Sequence, residues 1–154
     1  MTAKFYEDVQ VGDRFSAGPV ELSEAEIVEF ASRYDPQPMH MDPVWAATGP
    51  FHGLIASGWQ TIGIVMRMIV QTKMFGSTII LGLGAENIRW PVVTRPGDRI
   101  WLGIEVASMS PSKSKPDFGV IKTHVTGRNQ RDEIALSMTS ILWVPRRPSG
   151  DNLV

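Results

Sequence analysis

Between residues 98 and 145 apolar and polar positions alternate with the two-residue period of strands that bury one face. In "DRIWLGIEVAS" Ile100, Leu102, Ile104 and Val106 share a side, and in "FGVIKTHVTG" Gly119, Ile121, Thr123 and Val125 oppose Lys122 and His124. "GAENIRWPVV" and "IALSMTSILWVP" read as two more strands, and "RPGD", "SPSKSKPD" and "GRNQRDE" supply the turns between the four. Near the N-terminus, "GDRFSAGPVELS" predicts a short strand that ends in a turn.

The stretch between these strands has a different period. "SEAEIVEFASRY" carries a capping box, with Ser23 as N-cap and Glu26 three positions on, and presents Ile27, Phe30 and Ala31 on one helical face. Asp35-Pro36 ends this helix, because a proline pushes the residue before it out of the helical region. Asp42-Pro43 opens another of one or two turns, the carboxylate capping and the proline standing first. From about Gly53 to Lys73 the spacing is again helical. Ile62, Ile64, Val65, Met66, Met68, Ile69 and Val70 point in nearly every direction, which predicts an enclosed helix. Four or five antiparallel strands and one long apolar helix make an α+β chain whose sheet curls around that helix, the hotdog arrangement. Short edge strands and a half-covered helix favour a homodimer or a higher assembly of dimers.

Composition narrows the function classes. A chain of 154 residues fits one domain with one core, expected over residues 1–145, with 146–154 as a flexible tail rich in Pro, Gly and charge. A net charge of −1 supplies no basic field for a nucleic acid or an anionic membrane. The absence of cysteine excludes disulfides, thiolate nucleophiles and thiolate metal sites. The longest apolar stretch is interrupted by Arg67, Gln71 and Lys73, and the polar N-terminus has no signal-like run, so a cytoplasmic location is the expectation. No His, Asp and Glu cluster has metal-ligand spacing and no glycine-rich phosphate loop precedes a helix, so neither a metal nor another cofactor is expected.

The candidate chemistry lies in "DPQPMHMD", residues 35–42. Asp35 and His40 offer a carboxylate and an imidazole that can share proton traffic around one water. Five extended residues would hold them about 16 Å apart, so the segment must turn. Pro36 and Pro38 forbid a helix through it and favour bends in an exposed loop. An isolated Asp/His pair reads more readily as a turn cap and a histidine that satisfies a backbone carbonyl.

Together with "PFHGLIASGW", "PVVTRPGD", "SPSKSKPDFG" and "NQRDEIA", this segment resembles, over residues 5–145, the MaoC-like dehydratases and (R)-specific enoyl-CoA hydratases. Their motif runs Asp-x-Asn-Pro-hydrophobic-His-x-Asp. The resemblance implies an acyl-CoA thioester as substrate, with Asp35 and His40 activating a water for syn addition across a 2-enoyl double bond, or for the reverse dehydration. It also implies Gly53 as the oxyanion donor at the start of the long helix, and Thr61 as a hydroxyl near the pocket. Gln37 takes the place of the motif asparagine, one methylene longer, and His52 stands where relatives often have glycine. Lys113 and Lys115 are candidates for the coenzyme A phosphates, a solvated turn being the plainer reading of either. Two other readings compete with a hydro-lyase. One is a hotdog thioesterase, which would use a carboxylate on the long helix, where "SGWQTIGIVMRM" has none; the other is a catalytically silent acyl-thioester binding module.

Overall fold

The computed structural model describes residues 2–148. Five strands form one antiparallel sheet: β1 (Arg14–Glu21), β2 (Leu81–Arg89), β3 (Arg99–Pro111), β4 (Phe118–Arg128) and β5 (Ile134–Pro145), in the order β1-β3-β4-β5-β2. The helices are α1 (Glu24–Tyr34), α2 (Pro38–Met41), α3 (Pro43–Thr48) and α4 (Gly58–Thr72). The longest, α4, packs on β1, β3 and β5, which lie on both sides of the sheet's centre, so the sheet curls around it. This is the expected α+β hotdog arrangement.

Alternation explains the core. Ile100, Leu102, Ile104 and Val106 of β3 meet Ile121 and Val125 of β4, Leu136 and Val144 of β5, and Val65 and Met68 of α4 in one apolar cluster. Val65 and Met68 are completely buried. Truncating Met68 to alanine would cost about 2 to 5 kcal/mol, since the cavity left behind adds to the lost transfer energy. A smaller cluster of Leu22, Ile27, Ala46, Leu54 and Ala56 fastens α1 and α3 beside α4. The segment with the candidate chemistry is anchored there.

Several boundaries differ from the sequence reading. The long helix starts at Gly58, not near Gly53, because Ser57 caps it: its hydroxyl accepts from the Trp59 N–H at 3.3 Å. Nor is it enclosed all round. Val70 is 68% exposed and Trp59 60%, on a side that this one chain leaves uncovered. The strand expected at 84–93 lies earlier, at Leu81–Arg89, and Trp90 follows its end.

The capping box of α1 is present, with both Ser23 and Glu26 bonds made. Of the tail expected from 146 on, 149–154 lie outside the described residues. Arg146 and Arg147 are tied back to Glu7 and Asp8 instead of hanging free. These exposed pairs fix a path more than they add stability. Among the described residues no helix is long and apolar enough to cross a membrane.

Candidate active site

Pro36 and Pro38 do not keep helix out of the motif. Pro38 begins the single turn of α2, where its missing N–H costs nothing because a first-turn N–H has no intrahelical partner. The turn returns His40 toward Asp35, and the His40 Nε2 lies 3.4 Å from Asp35 Oδ2. The segment is not an exposed loop at the atoms that matter. The His40 side chain is 5% exposed and that of Asp35 19%.

Each group is held in a defined state. The His40 Nδ1 lies 2.8 Å from the Ile55 carbonyl oxygen. A carbonyl can only accept, so Nδ1 carries a proton, and Nε2 is the ring nitrogen turned toward Asp35. Gln37 Nε2 donates to Asp35 Oδ1 at 2.7 Å. That amide first, and then the Ser57 hydroxyl, hold the Asp35 carboxyl below its usual value, against the opposing effect of burial. The Asp35 carboxylate and the imidazole Nε2 therefore stand side by side at the pocket wall, both within reach of one small polar molecule.

A pocket of about 340 Å3 opens around this pair. Gln37, Ser57, Gly58, Trp59, Thr61 and Trp90 stand on its lining with Asp35 and His40. The Thr61 hydroxyl is already engaged with Thr94 Oγ1 at 3.1 Å and is buried, so it forms wall rather than a free donor.

Gly53 is not where an oxyanion donor would stand. Its N–H donates to the Ala46 carbonyl at 2.9 Å, five residues before α4 begins. Its φ of +144° explains the glycine: the chain turns there, after His52 at a φ of 53°, in a conformation that side chains disfavour. Arg95 braces the turn through the Phe51 carbonyl at 2.6 Å. Gly58, the first residue of α4, does line the pocket, and among the described residues no backbone carbonyl takes up its N–H. The signal was present in the sequence: Ser57 before Gly58 is an N-cap.

Lys113 and Lys115 are not brought to this pocket within the chain. They lie in the β3–β4 hairpin, and Lys115 Nζ sits 5.8 Å above the Trp143 ring. Trp143 alternates with the core residues Leu142 and Val144, so it faces the other side of the sheet. His124 is exposed on that outer side, 3.4 Å from Thr139, and His52 is exposed too. Sequence reasoning did not single out Ser57, the Ile55 carbonyl or Trp90 for the pocket. The first two act through atoms whose direction depends on the fold.

The sheet thus curls over a long helix in the hotdog arrangement, with half-buried Asp35 and buried His40 side by side near the head of that helix. The chain belongs to the MaoC-like dehydratase family: the family model described as "MaoC like domain" matches residues 7–129. It is 29% identical over 150 residues to the 3-hydroxybutyryl-CoA dehydratase of Methylorubrum extorquens, covering 97% of this chain and 89% of that one. A solved MaoC-like dehydratase from Rhodospirillum rubrum superposes with a TM-score of 0.87 at 40% identity, covering 94% of this chain and 98% of the other. The unliganded R-hydratase PhaJ1 from Pseudomonas aeruginosa shares the fold, with a TM-score of 0.77 at 20% identity over 94% of this chain and 88% of its own.

Proposed function

We propose that the protein adds water to a 2-enoyl-CoA to give the (R)-3-hydroxyacyl-CoA, and runs the reverse dehydration, on the Asp35/His40 pair. The observation that carries this reading is the pairing itself. A proton fixed on Nδ1 by Ile55 leaves Nε2 free beside an ionised carboxylate. Asp35, held low by Gln37 and Ser57, is a poor proton acceptor and a good anchor for one water hydrogen. The imidazole, a side chain suited to proton exchange near neutral pH, takes the other.

As the water oxygen bonds to C3, the C2=C3 electron pair moves toward the thioester, giving an enolate oxygen. The Gly58 N–H, with the partial positive charge of the α4 terminus behind it, receives that oxygen. The imidazolium then returns its proton to C2 from the face the water came from, so the addition is syn. Gln37 replaces the family's asparagine by holding Asp35 directly.

The active unit in this reading is a homodimer. Ile79 and Leu81, before and at the start of the free β2 edge, are 89% and 57% exposed, beside the uncovered side of α4. An unpaired edge next to apolar surface is a template for a second copy. Sedimentation at micromolar concentration should give a dimer, and a monomer would contradict this.

The test of the chemistry is incubation with trans-2-butenoyl-CoA. Loss of the conjugated absorbance with formation of the (R)-3-hydroxy product supports the reading. Release of free thiol would identify a thioesterase instead, although α4 offers no carboxylate for one. Binding without either change would identify a silent module.

A further inference from the structure

A second cavity, about 530 Å3, lies between α4 and the sheet and is larger than the 340 Å3 catalytic pocket. Ile62, Met66 and Ile69 of α4 roof it, and Ile104, Met138 and Leu142 rise from the sheet. It exists because the strands place small residues under the helix. Ser140 pairs with Ala85 on one side and Thr123 on the other, and Gly82 and Gly84 continue along β2. Among the described residues its single charged lining residue is Lys73, the exposed C-cap of α4. Such a volume and lining suit a flexible alkyl chain.

Among the described residues, Trp59 alone lines both this cavity and the catalytic pocket. Its indole is buttressed on one side and free on the other. Trp90 meets it edge-on, with ring centroids 5.8 Å apart and planes at 70°. Trp90 is itself pinned by its Nε1–H, which donates to the Gly58 carbonyl at 3.0 Å. Gly58 permits this contact, since a Cβ there would stand 2.6 Å from the Trp90 ring. A residue at the second position of α4 thus carries the wall between chemistry and volume.

We propose that Trp59 selects acyl length, closing the catalytic pocket against the larger cavity so that short 2-enoyl thioesters are preferred, and that the cavity behind it holds a medium-length chain once the indole is removed. This rests on the hydratase reading. A chain that stops in the catalytic pocket needs no passage past the indole, whereas one a few carbons longer meets it. Each methylene that gains or loses an apolar site changes discrimination by about tenfold or more.

The test compares kcat/KM for trans-2-butenoyl-CoA and trans-2-octenoyl-CoA on the full chain, Trp59→Phe and Trp59→Ala. The wild type should favour butenoyl, and Trp59→Ala should raise the octenoyl-to-butenoyl ratio by about tenfold or more, with Trp59→Phe between them. A merely structural role lowers both rates together, so an unchanged or lower ratio overturns the proposal, as does a wild type that already favours octenoyl. Should the wild type hydrate neither, the hydratase reading fails separately. Calorimetric affinities for butanoyl- and octanoyl-CoA then decide by the same ratio, and failure to bind either overturns the selector too.

Discussion

The Asp35/His40 pocket and the larger cavity meet at Trp59 and differ in what builds them. The pocket is made by side chains with chemistry, held in orientation by a one-turn helix, a carbonyl and an amide. The cavity is made by side chains that stop short, a row of small residues on three strands under the large ones of α4. One depends on atoms within hydrogen-bond reach, the other on atoms left out. Substitutions should therefore act differently: loss of a group destroys the first, and gain of bulk destroys the second.

The largest effect expected is on the pair itself. Asp35→Asn and His40→Ala should each lower hydratase turnover by about two orders of magnitude or more, the scale of a lost general acid or base. Both should fold, as circular dichroism melting will check. Unfolding of either variant with activity retained in the soluble fraction would make the pair structural.

Gly58 lines the Asp35/His40 pocket and carries the Trp90 contact, and should come next. Gly58→Ala drives a methyl into the Trp90 ring and shifts the first N–H of α4, so kcat/KM should fall by about ten- to a hundredfold. Steady-state kinetics on butenoyl-CoA will measure it. A rate equal to the wild type would remove this N–H from the mechanism and the Trp90 contact from the wall.

A third variant sharpens the electrostatic half of the comparison. Asp35 is depressed in the folded protein, so the stability it contributes is present above its unfolded value and is lost as pH falls through the lower folded one. The Gln37 amide is the largest cause of the depression. Gln37→Ala should therefore move the acid limb of the kcat/KM profile upward, toward the ordinary carboxylate range, and narrow the pH window of activity from its acid side. A limb that stays or moves down would show that Gln37 does not tune Asp35.

The smallest effect is expected of Gln37→Asn. The shorter amide falls back from Asp35, but the residue is exposed and water replaces part of the bond, so a loss near 1 kcal/mol, roughly fivefold in rate, is expected. A gain in rate would instead mean that the glutamine is a defect of the motif.

The same contrast explains what could be read in the sequence. β5 fell at Ile134–Pro145 as its alternation predicted, and the α1 capping box formed at Ser23 and Glu26, because both depend on local patterns. Asp35 and His40 were legible as a motif, yet the turn that joins them was not. Two prolines argued against helix, and only the first-turn position of Pro38 makes a helix compatible with them.

The resemblance implies Gly53 as the helix-start glycine, while the serine cap four residues later marks where α4 begins. Lys113 and Lys115 were readable as a basic loop, but which side of a sheet a hairpin bends over depends on strand parity and on Trp143. The cavity had no sequence signal. Small residues at 82, 84, 85, 123 and 140 become a volume only when β2, β4 and β5 lie side by side.

The strand order has a consequence for how the molecule comes together in time. β3, β4 and β5 follow one another in sequence and in space, so their hairpins close short loops, whereas β1 and β2 reach their places only across long stretches of chain. Loop-closure entropy makes the three-strand meander the earliest stable unit and leaves β2, with the small residues that hollow the cavity, to dock afterwards. Amide exchange should accordingly be slowest in β4, which is paired on both sides, and faster in the edge strands β1 and β2, each paired on one side within the chain. The larger cavity is then bounded by a strand that docks after the meander, and the Asp35/His40 pair stands beyond Trp59, away from that strand.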